Sequence, residues 1–140
     1  MSKLPYLNRL TELDVQRDGQ THIMIEGDNR DALTALQYSH ENSVDVIYID
    51  PPYNTGGSLT YRDKFQVTDW VAQIRPTMIL AHSLLKSSGV MMISIDDGQM
   101  RPHLDLILQD IFGIDNRLPE MIWKGKSGGN DGNHIRKQHE

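Results

Sequence analysis

Two consecutive prolines, Pro51 and Pro52, directly follow a short apolar run and constrain the fold more than any other feature of the sequence. The run, residues 44–49, is rich in β-branched side chains and follows a polar stretch, which is the pattern of a buried strand. Because two prolines cannot continue the hydrogen-bond ladder of a central strand, this strand must end by Asp50. The sequence therefore predicts Asp50 and Tyr53 on a stiff turn at a strand's carboxyl end, where open α/β sheets bind ligands.

The residues of this turn suit the chemistry of an exocyclic amino group on a nucleobase. Such a nitrogen is a poor nucleophile because its lone pair is delocalised into the ring. The Asp50 carboxylate and the Pro51 carbonyl are acceptors for its two N–H groups and would stabilise the positive charge that develops during attack. Pro52 would stiffen the turn, and Tyr53 offers a flat face for a base taken out of the duplex stack. The same four residues are equally typical of a strand-ending turn with a core tyrosine.

The rest of the chain alternates between strand and helix patterns. Strands are predicted near residues 21–26, 44–49, 90–95 and 119–124. Helices are predicted over 29–38, 69–86 and 98–111, and a short amphipathic helix is a further interpretation of 4–17. Asp28 and Asp97 are predicted helix caps, Pro76 a kink or restart, and Ser87-Ser88-Gly89 a helix end. This alternation indicates an α/β fold with a partial doubly wound, mainly parallel sheet.

Length and composition limit the class of protein. A chain of 140 residues allows one domain with a modest core, and 38% hydrophobic with 24% charged residues is typical of a globular protein. The absence of cysteine excludes disulfides and thiolate metal sites. The chain has no apolar run typical of a signal peptide or membrane span, so we expect a cytoplasmic location. A net charge of −5 does not indicate a dedicated nucleic-acid clamp, although local basic patches remain compatible with it.

Asp50-Pro51-Pro52-Tyr53 closely resembles the motif of amino-group DNA methyltransferases that use S-adenosylmethionine. Asp28, within residues 25–29, is similar to the upstream Gly-Asp element of that family. Residues 89–97 resemble its next strand, and residues 111–113 resemble a recurrent helix end. The order and spacing are most similar to the beta-class adenine-N6 enzymes, especially the modification subunits of type III restriction systems, from about residue 22 onward.

The resemblance implies methyl transfer from S-adenosylmethionine to the N6 amine of adenine in DNA, within a restriction-modification system. It implies the Rossmann-like fold of such methyltransferases and, as partners, double-stranded DNA with a flipped target base, a restriction subunit and a second modification subunit. Expected catalytic residues are Asp50, Pro51, Pro52 and Tyr53. Expected cofactor-binding residues are Asp28, Asn29 and Asp50, and expected DNA-binding residues are Tyr53, Asn54, Lys124 and Lys126. We expect no metal site, because Asp96 and Asp97 stand without a third ligand at suitable spacing.

The resemblance also implies elements that these 140 residues lack. The family has a seven-stranded sheet, and its target-recognition region and glycine-rich Phe-x-Gly-x-Gly loop follow the part matched here. We therefore expect an N-terminal arm over 1–20, a partial catalytic domain over 21–124 and a flexible basic segment over 125–140, with weak or no activity alone. Two alternatives stay open: a non-catalytic remnant or split subunit that needs a partner carrying the cofactor loop, and a cytosine-N4 enzyme. Adenine is favoured because cytosine-N4 enzymes more often have Ser at the position of Asp50.

Overall fold

The computed structural model describes residues 5–10, 19, 22–54 and 65–122. Its elements are α1 (Asn29–His40), β1 (Val44–Ile49), α2 (Val67–Leu84), β2 (Leu85–Ile93), α3 (Arg101–Phe112) and a 3-10 turn, Ile114–Asn116. The two strands pair in parallel and form a two-stranded sheet. The α/β class and the parallel pairing are thus confirmed for this part of the chain, and β1 has the predicted bounds. No helix formed by the described residues is long and apolar enough to cross a membrane.

The helix α1 begins where a side chain can cap it. Asp28 has an extended backbone, and its Oδ1 accepts hydrogen bonds from the backbone N–H groups of Arg30 (2.9 Å) and Asp31 (3.3 Å). These bonds satisfy two donors that have no partner within the helix, which confirms the predicted cap. At the other end of α1, Gln37 Nε2 donates to the Leu80 carbonyl at 2.9 Å and thereby attaches α1 to α2.

The core lies on one face of the sheet, beneath α2 and α3. Its buried side chains are Trp70, Ile74, Met78, Met100, Leu104 and Ile107. Ile49, Met91 and Ile93 of the sheet pack against them. Trp70 is only 1% exposed. Burial of each large apolar side chain stabilises the fold by about 1.5–3 kcal/mol.

The opposite face of the sheet is open among the described residues. Val46 of β1 pairs with Val90 of β2, and Tyr48 pairs with Met92, so these side chains share one face. Val46 is 59% exposed and Tyr48 is 65% exposed. Parallel strands are normally covered on both faces of the sheet. Only the face under α2 and α3 is covered in this part of the structure.

Two predicted strands are wrong within the residues described. Residues 22–26 and 119–122 form no strand, and Met24 and Met121 are 96% and 75% exposed. Apolar alternation gives a segment a face to bury, but a strand also needs a neighbouring strand to accept and donate its backbone hydrogen bonds. Neither segment is paired with β1 or β2. Residues 21, 123 and 124, at the ends of these predicted strands, lie outside the described part.

The predicted end of the second long helix is also wrong. The helix α2 begins at Val67 and ends at Leu84, it continues through Pro76 without a restart, and β2 begins at once with Leu85. The reason is that Leu85 pairs with Val44 before a register shift brings Val90 opposite Val46. Residues 87–89 therefore belong to a bulged strand rather than a helix cap, and the strand predicted over 90–95 begins earlier and ends at Ile93.

Gly89 serves a purpose other than the predicted one. It does not have the positive φ expected of a helix-ending glycine. A Cβ at this position would lie 3.0 Å from the Val44 carbonyl oxygen and 2.8 Å from Leu85 Cδ2. Glycine is needed here because the two strands approach closely at the bulge.

The start of α3 differs from the prediction. The helix begins at Arg101 rather than residue 98, Met100 is its N-cap residue, and no side chain caps it. Pro102 in the first turn lacks the N–H that a cap would satisfy. Asp97, the predicted cap, instead accepts a hydrogen bond from Arg101 Nη1 at 2.9 Å.

The predicted N-terminal helix is not present over residues 5–10, and the remainder of 4–17 lies outside the described residues. Leu7 and Leu10 are 46% and 49% exposed. A short helix without a buried apolar face gains too little from packing to offset the cost of its first turn.

Candidate active site

The candidate site is the turn that follows β1. The ladder continues one step past the strands, because the Ser94 N–H donates to the Ile49 carbonyl at 3.0 Å. Asp50 comes next and is exposed, whereas Pro51 is buried. The Asp50 carboxylate makes no hydrogen bond or ion pair with any residue that the structure describes. The predicted catalytic carboxylate is therefore available to a ligand at the carboxyl end of the strand.

The middle of the turn is attached to α2. Trp70 Nε1 donates a hydrogen bond to the Pro52 carbonyl at 2.8 Å, and the indole ring lies in the core. Pro52 and Tyr53 are both partly buried. The contact is not predictable from the sequence, because an indole among apolar helix residues is ordinarily only a core side chain.

Asn54 closes the turn with its side chain. Its φ of 61° lies in the left-handed region, which asparagine tolerates better than most residues. Asn54 Nδ2 donates to the Phe65 carbonyl at 3.0 Å, and the Phe65 N–H donates to Asn54 Oδ1 at 2.5 Å. Phe65 in turn packs against the core. The Asn54 amide thus joins the turn to the start of α2, and residues 55–64 between them lie outside the described part.

Asp96 lies on the neighbouring strand's side of the same rim. Its Oδ1 is buried and has no hydrogen-bond partner among the described residues. A Cβ on Gly98 would lie 2.6 Å from this oxygen, so the carboxylate fills the space over the glycine. Asp97, by contrast, pairs with Arg101. Within residues 5–10, 19, 22–54 and 65–122, no group of three His, Cys, Asp or Glu side chains could hold a metal ion.

Asp28 lies at the same end of the molecule as the turn. The Asn42 N–H donates to the Ser83 carbonyl, and Gln37 contacts Leu80, so α1 and α2 run side by side in the same direction. The start of α2 contacts the turn through Trp70, and its end leads into the start of β2. The start of α1, with Asp28 and Asn29, is therefore directed to the same rim as Asp50.

A cavity of about 360 Å³ lies beside Asp28. Its lining residues are Pro5, Tyr6, Leu7, Ile25, Glu26, Gly27, Asp28, Asp31 and Ala32. Neither Asn29 nor Asp50 lines it, so the structure does not bring the three predicted cofactor-binding residues into this one cavity. Asp28 uses Oδ1 for the helix cap, and its second carboxylate oxygen, Oδ2, is a further acceptor.

A cluster of charges attaches residues 117–120 to the start of α3. Both oxygens of Glu120 lie 2.6 Å from Arg101 Nη2, and Arg117 Nη2 donates to the same carboxylate at 2.9 Å. The hydrogen bond from Arg101 holds the pKa of Glu120 below its usual value, and Arg117 adds to the effect. The same bond raises the pKa of Arg101. Lys124 and Lys126, the predicted DNA-binding lysines, lie beyond this cluster and outside the described residues.

Comparison with known proteins adds a family relationship to this geometry. Residues 44–140 match the DNA methylase family. The chain is 32% identical to the Mod subunit of the type III restriction-modification enzyme StyLTI of Salmonella typhimurium, over 85% of this chain and 23% of that protein. It is 33% identical to the type II methyltransferase M.KpnI of Klebsiella pneumoniae, over 81% of this chain and 30% of that protein. It is also 37% identical to the probable type III HindVI Mod subunit of Haemophilus influenzae, over 79% of this chain and 15% of that protein. The chain thus spans less than a third of the length of these relatives.

Proposed function

The chain belongs to the DNA methylase family, and from that premise we propose that it carries the catalytic turn of an S-adenosylmethionine-dependent adenine-N6 DNA methyltransferase. One observation carries the proposal. Within the residues that match the family, Asp50 presents an exposed carboxylate, with no partner in the described structure, on a proline-stiffened turn at the carboxyl end of β1. This rim is where open α/β sheets place their ligands.

The turn offers acceptors for an amine. The Asp50 carboxylate accepts one N–H of the target, and the Pro51 carbonyl accepts the other. The Pro52 carbonyl is already occupied by Trp70 and is therefore not an acceptor for the substrate. As the nitrogen attacks, positive charge develops on it, and a fixed carboxylate at hydrogen-bond distance stabilises that charge more than the neutral ground state. Because Asp50 is exposed and Pro51 is buried, the amine approaches from the Asp50 side.

The residues beside Asp28 support a nucleoside cofactor. Tyr6, Leu7 and Ile25 give the cavity an apolar wall, and Asp28 adds an acceptor at its rim. The Asp28 carboxylate directly precedes α1, and an acidic side chain suits the hydroxyls of a ribose in nucleotide-binding α/β folds. S-adenosylmethionine supplies an electrophilic methyl group, so the protein needs neither a metal nor a covalent nucleophile. Asn29, the other proposed cofactor residue at this end, lies at the exposed first position of α1.

The proposed substrate is double-stranded DNA with an adenine flipped out of the helix. Tyr53 would stack on that base, and Lys124 and Lys126 would contact DNA phosphates. Type III Mod subunits among the relatives support a setting in restriction-modification, with a restriction subunit and a second modification subunit as partners. The adenine target is supported by Asp at position 50 and by similarity, at 31% identity, to the DNA adenine methyltransferase YhdJ of Escherichia coli.

A methylation assay tests the proposal: the full-length protein is incubated with unmethylated genomic DNA and methyl-labelled S-adenosylmethionine. Digestion of the DNA to nucleosides and mass spectrometry then identify the modified base. We expect label in N6-methyladenine. Label in N4-methylcytosine would reassign the target base, and the absence of label with a folded protein and an active control enzyme would contradict the proposed function.

A further inference from the structure

The two prolines at the centre of the turn 50–54 have no backbone donors to hold them in place. Pro51 and Pro52 have no N–H group, so the proline pair can be fixed only through its carbonyls and through packing. In the described structure one side chain reaches those carbonyls, and it is Trp70, whose Nε1 lies 2.8 Å from the Pro52 oxygen. The position of the turn therefore depends on an atom of α2.

The burial of Trp70 makes its indole N–H a fixed donor for the turn. The indole is 1% exposed and packs with Ile74 and Met78 in the core, so its ring has little freedom to move. A hydrogen bond from an immobile, desolvated donor is stronger and better directed than one from a surface side chain. Asn54 supplies a second attachment a few residues later, because its amide makes two hydrogen bonds with the backbone of Phe65.

We propose that Trp70 is a positioning residue of the catalytic turn. Its indole N–H holds the Pro52 carbonyl toward α2 and thereby fixes the Pro51 carbonyl and the Asp50 carboxylate as the two acceptors for the target amine. The inference rests on the proposed function and adds to it the residue that sets the geometry of the acceptors. Trp70 itself does not touch the substrate.

The most direct test removes the indole N–H of Trp70 and keeps the shape of the side chain. In the full-length protein, Trp70 is replaced site-specifically by 3-benzothienylalanine, in which sulfur stands in place of the indole N–H. Met78→Leu is the matched control, because Met78 is fully buried in the same cluster and a volume-conserving change there is well tolerated. Trp70→Phe adds a genetically encoded variant that also lacks the donor.

We expect the 3-benzothienylalanine variant of Trp70 (the isostere) to lower kcat for methyl transfer by about tenfold or more, because small displacements of reacting groups are costly. The KM for DNA should change by less than about twofold. Met78→Leu should leave kcat within about twofold at a similar melting temperature. Equal kcat in the isostere and the wild type, or equal losses in the isostere and the Met78 variant, would overturn the inference.

A second readout does not depend on activity. The Trp70 indole resonance, identified by its loss in Trp70→Phe, should exchange slowly with solvent, and the isostere should shift the amide resonances of Tyr53 and Asn54. If the wild-type protein transfers no methyl group, the proposed function fails by itself. These resonances then still test whether Trp70 positions the turn. Fast indole exchange, or unchanged resonances at Tyr53 and Asn54, would contradict that positioning role.

Discussion

At the scale of single residues, one side chain often has two tasks that a suitable substitution can separate. Asp28 caps α1 through Oδ1, and the same residue lines the cavity proposed for the cofactor. Asparagine can accept the capping bonds with its amide oxygen, whereas alanine cannot. The cap needs an oxygen, while a ribose hydroxyl is bound better by a charged acceptor.

We predict that Asp28→Ala lowers the free energy of unfolding by about 0.5–2 kcal/mol, and that Asp28→Asn lowers it by only a few tenths. Both variants should weaken binding of S-adenosylmethionine. Urea denaturation measures the first effect, and calorimetric titration of the full-length protein measures the second. Wild-type affinity in Asp28→Asn would show that Asp28 is a cap alone.

The residues also show what a sequence can and cannot predict. The end of β1 before Asp50 and the cap at Asp28 follow from local rules about proline and about helix starts, and both are confirmed. The bond from Trp70 to Pro52 joins residues 18 positions apart, and the Asn54–Phe65 pair joins residues 11 positions apart. Such contacts depend on how the helix packs on the sheet, which spacing within one element does not specify.

At the scale of elements, a charge cluster attaches the segment after α3 to the start of that helix. Arg101 joins Asp97 to Glu120, and Arg117 joins Glu120 to Asp105, so residues 117–120 are attached to the first turns of the helix. The folded pKa of Glu120 is lowered, so its contribution to stability is present above the ordinary carboxyl pKa. That contribution is lost as the pH falls through the lowered pKa of the folded state.

We predict that Glu120→Gln reduces stability at neutral pH by less than about 1 kcal/mol, because the carboxylate is half exposed and solvent screens the pair. The difference from the wild type should shrink as the pH falls below the ordinary carboxyl pKa. Glu41→Gln is the control, since Glu41 is exposed and has no ion pair in the described structure. A stability difference between Glu120→Gln and the wild type that grows as the pH falls would contradict a stabilising role of the ionised Glu120 carboxylate.

The strands were predicted less well than the helices α1 and α3, for a physical reason. The helix α2 and the strand β2 meet without a connecting loop, because pairing of Leu85 with Val44 starts the strand early. A strand exists only where a neighbour pairs with it, so the apolar patterns at 22–26 and 119–122 were insufficient evidence. Helices α1 and α3 contain their own hydrogen bonds and were placed to within a few residues.

At the scale of the whole molecule, the sheet has two unlike faces. Ile49 packs against the core on the covered face, whereas Val46 lies on the open face. Parallel sheets are normally covered on both faces, and a contiguous exposed apolar surface favours association with other elements or molecules. The open face makes low activity of the isolated 140-residue chain an expectation of this account.

We predict that Ile49→Lys lowers the stability of the 140-residue chain by about 2 kcal/mol or more, because it places a charge in the core. Val46→Lys should change stability by less than about 1 kcal/mol and should reduce binding of a hydrophobic dye. The two residues lie on the same strand and differ in the face they occupy. Equal losses of stability would show that both faces are covered in the isolated chain.

The central claim is that the turn after β1 performs methyl transfer, and Asp50→Asn tests it most directly against Asp45→Asn. Asp45 is an exposed aspartate of the same strand and pairs only with Lys86 in the described structure. Single-turnover methylation of DNA by the full-length protein is the measurement. We predict that Asp50→Asn slows the reaction by about a hundredfold or more, as loss of a charge-stabilising group does, and that Asp45→Asn retains the wild-type rate within about twofold. Equal rates for Asp50→Asn and the wild type would contradict the account.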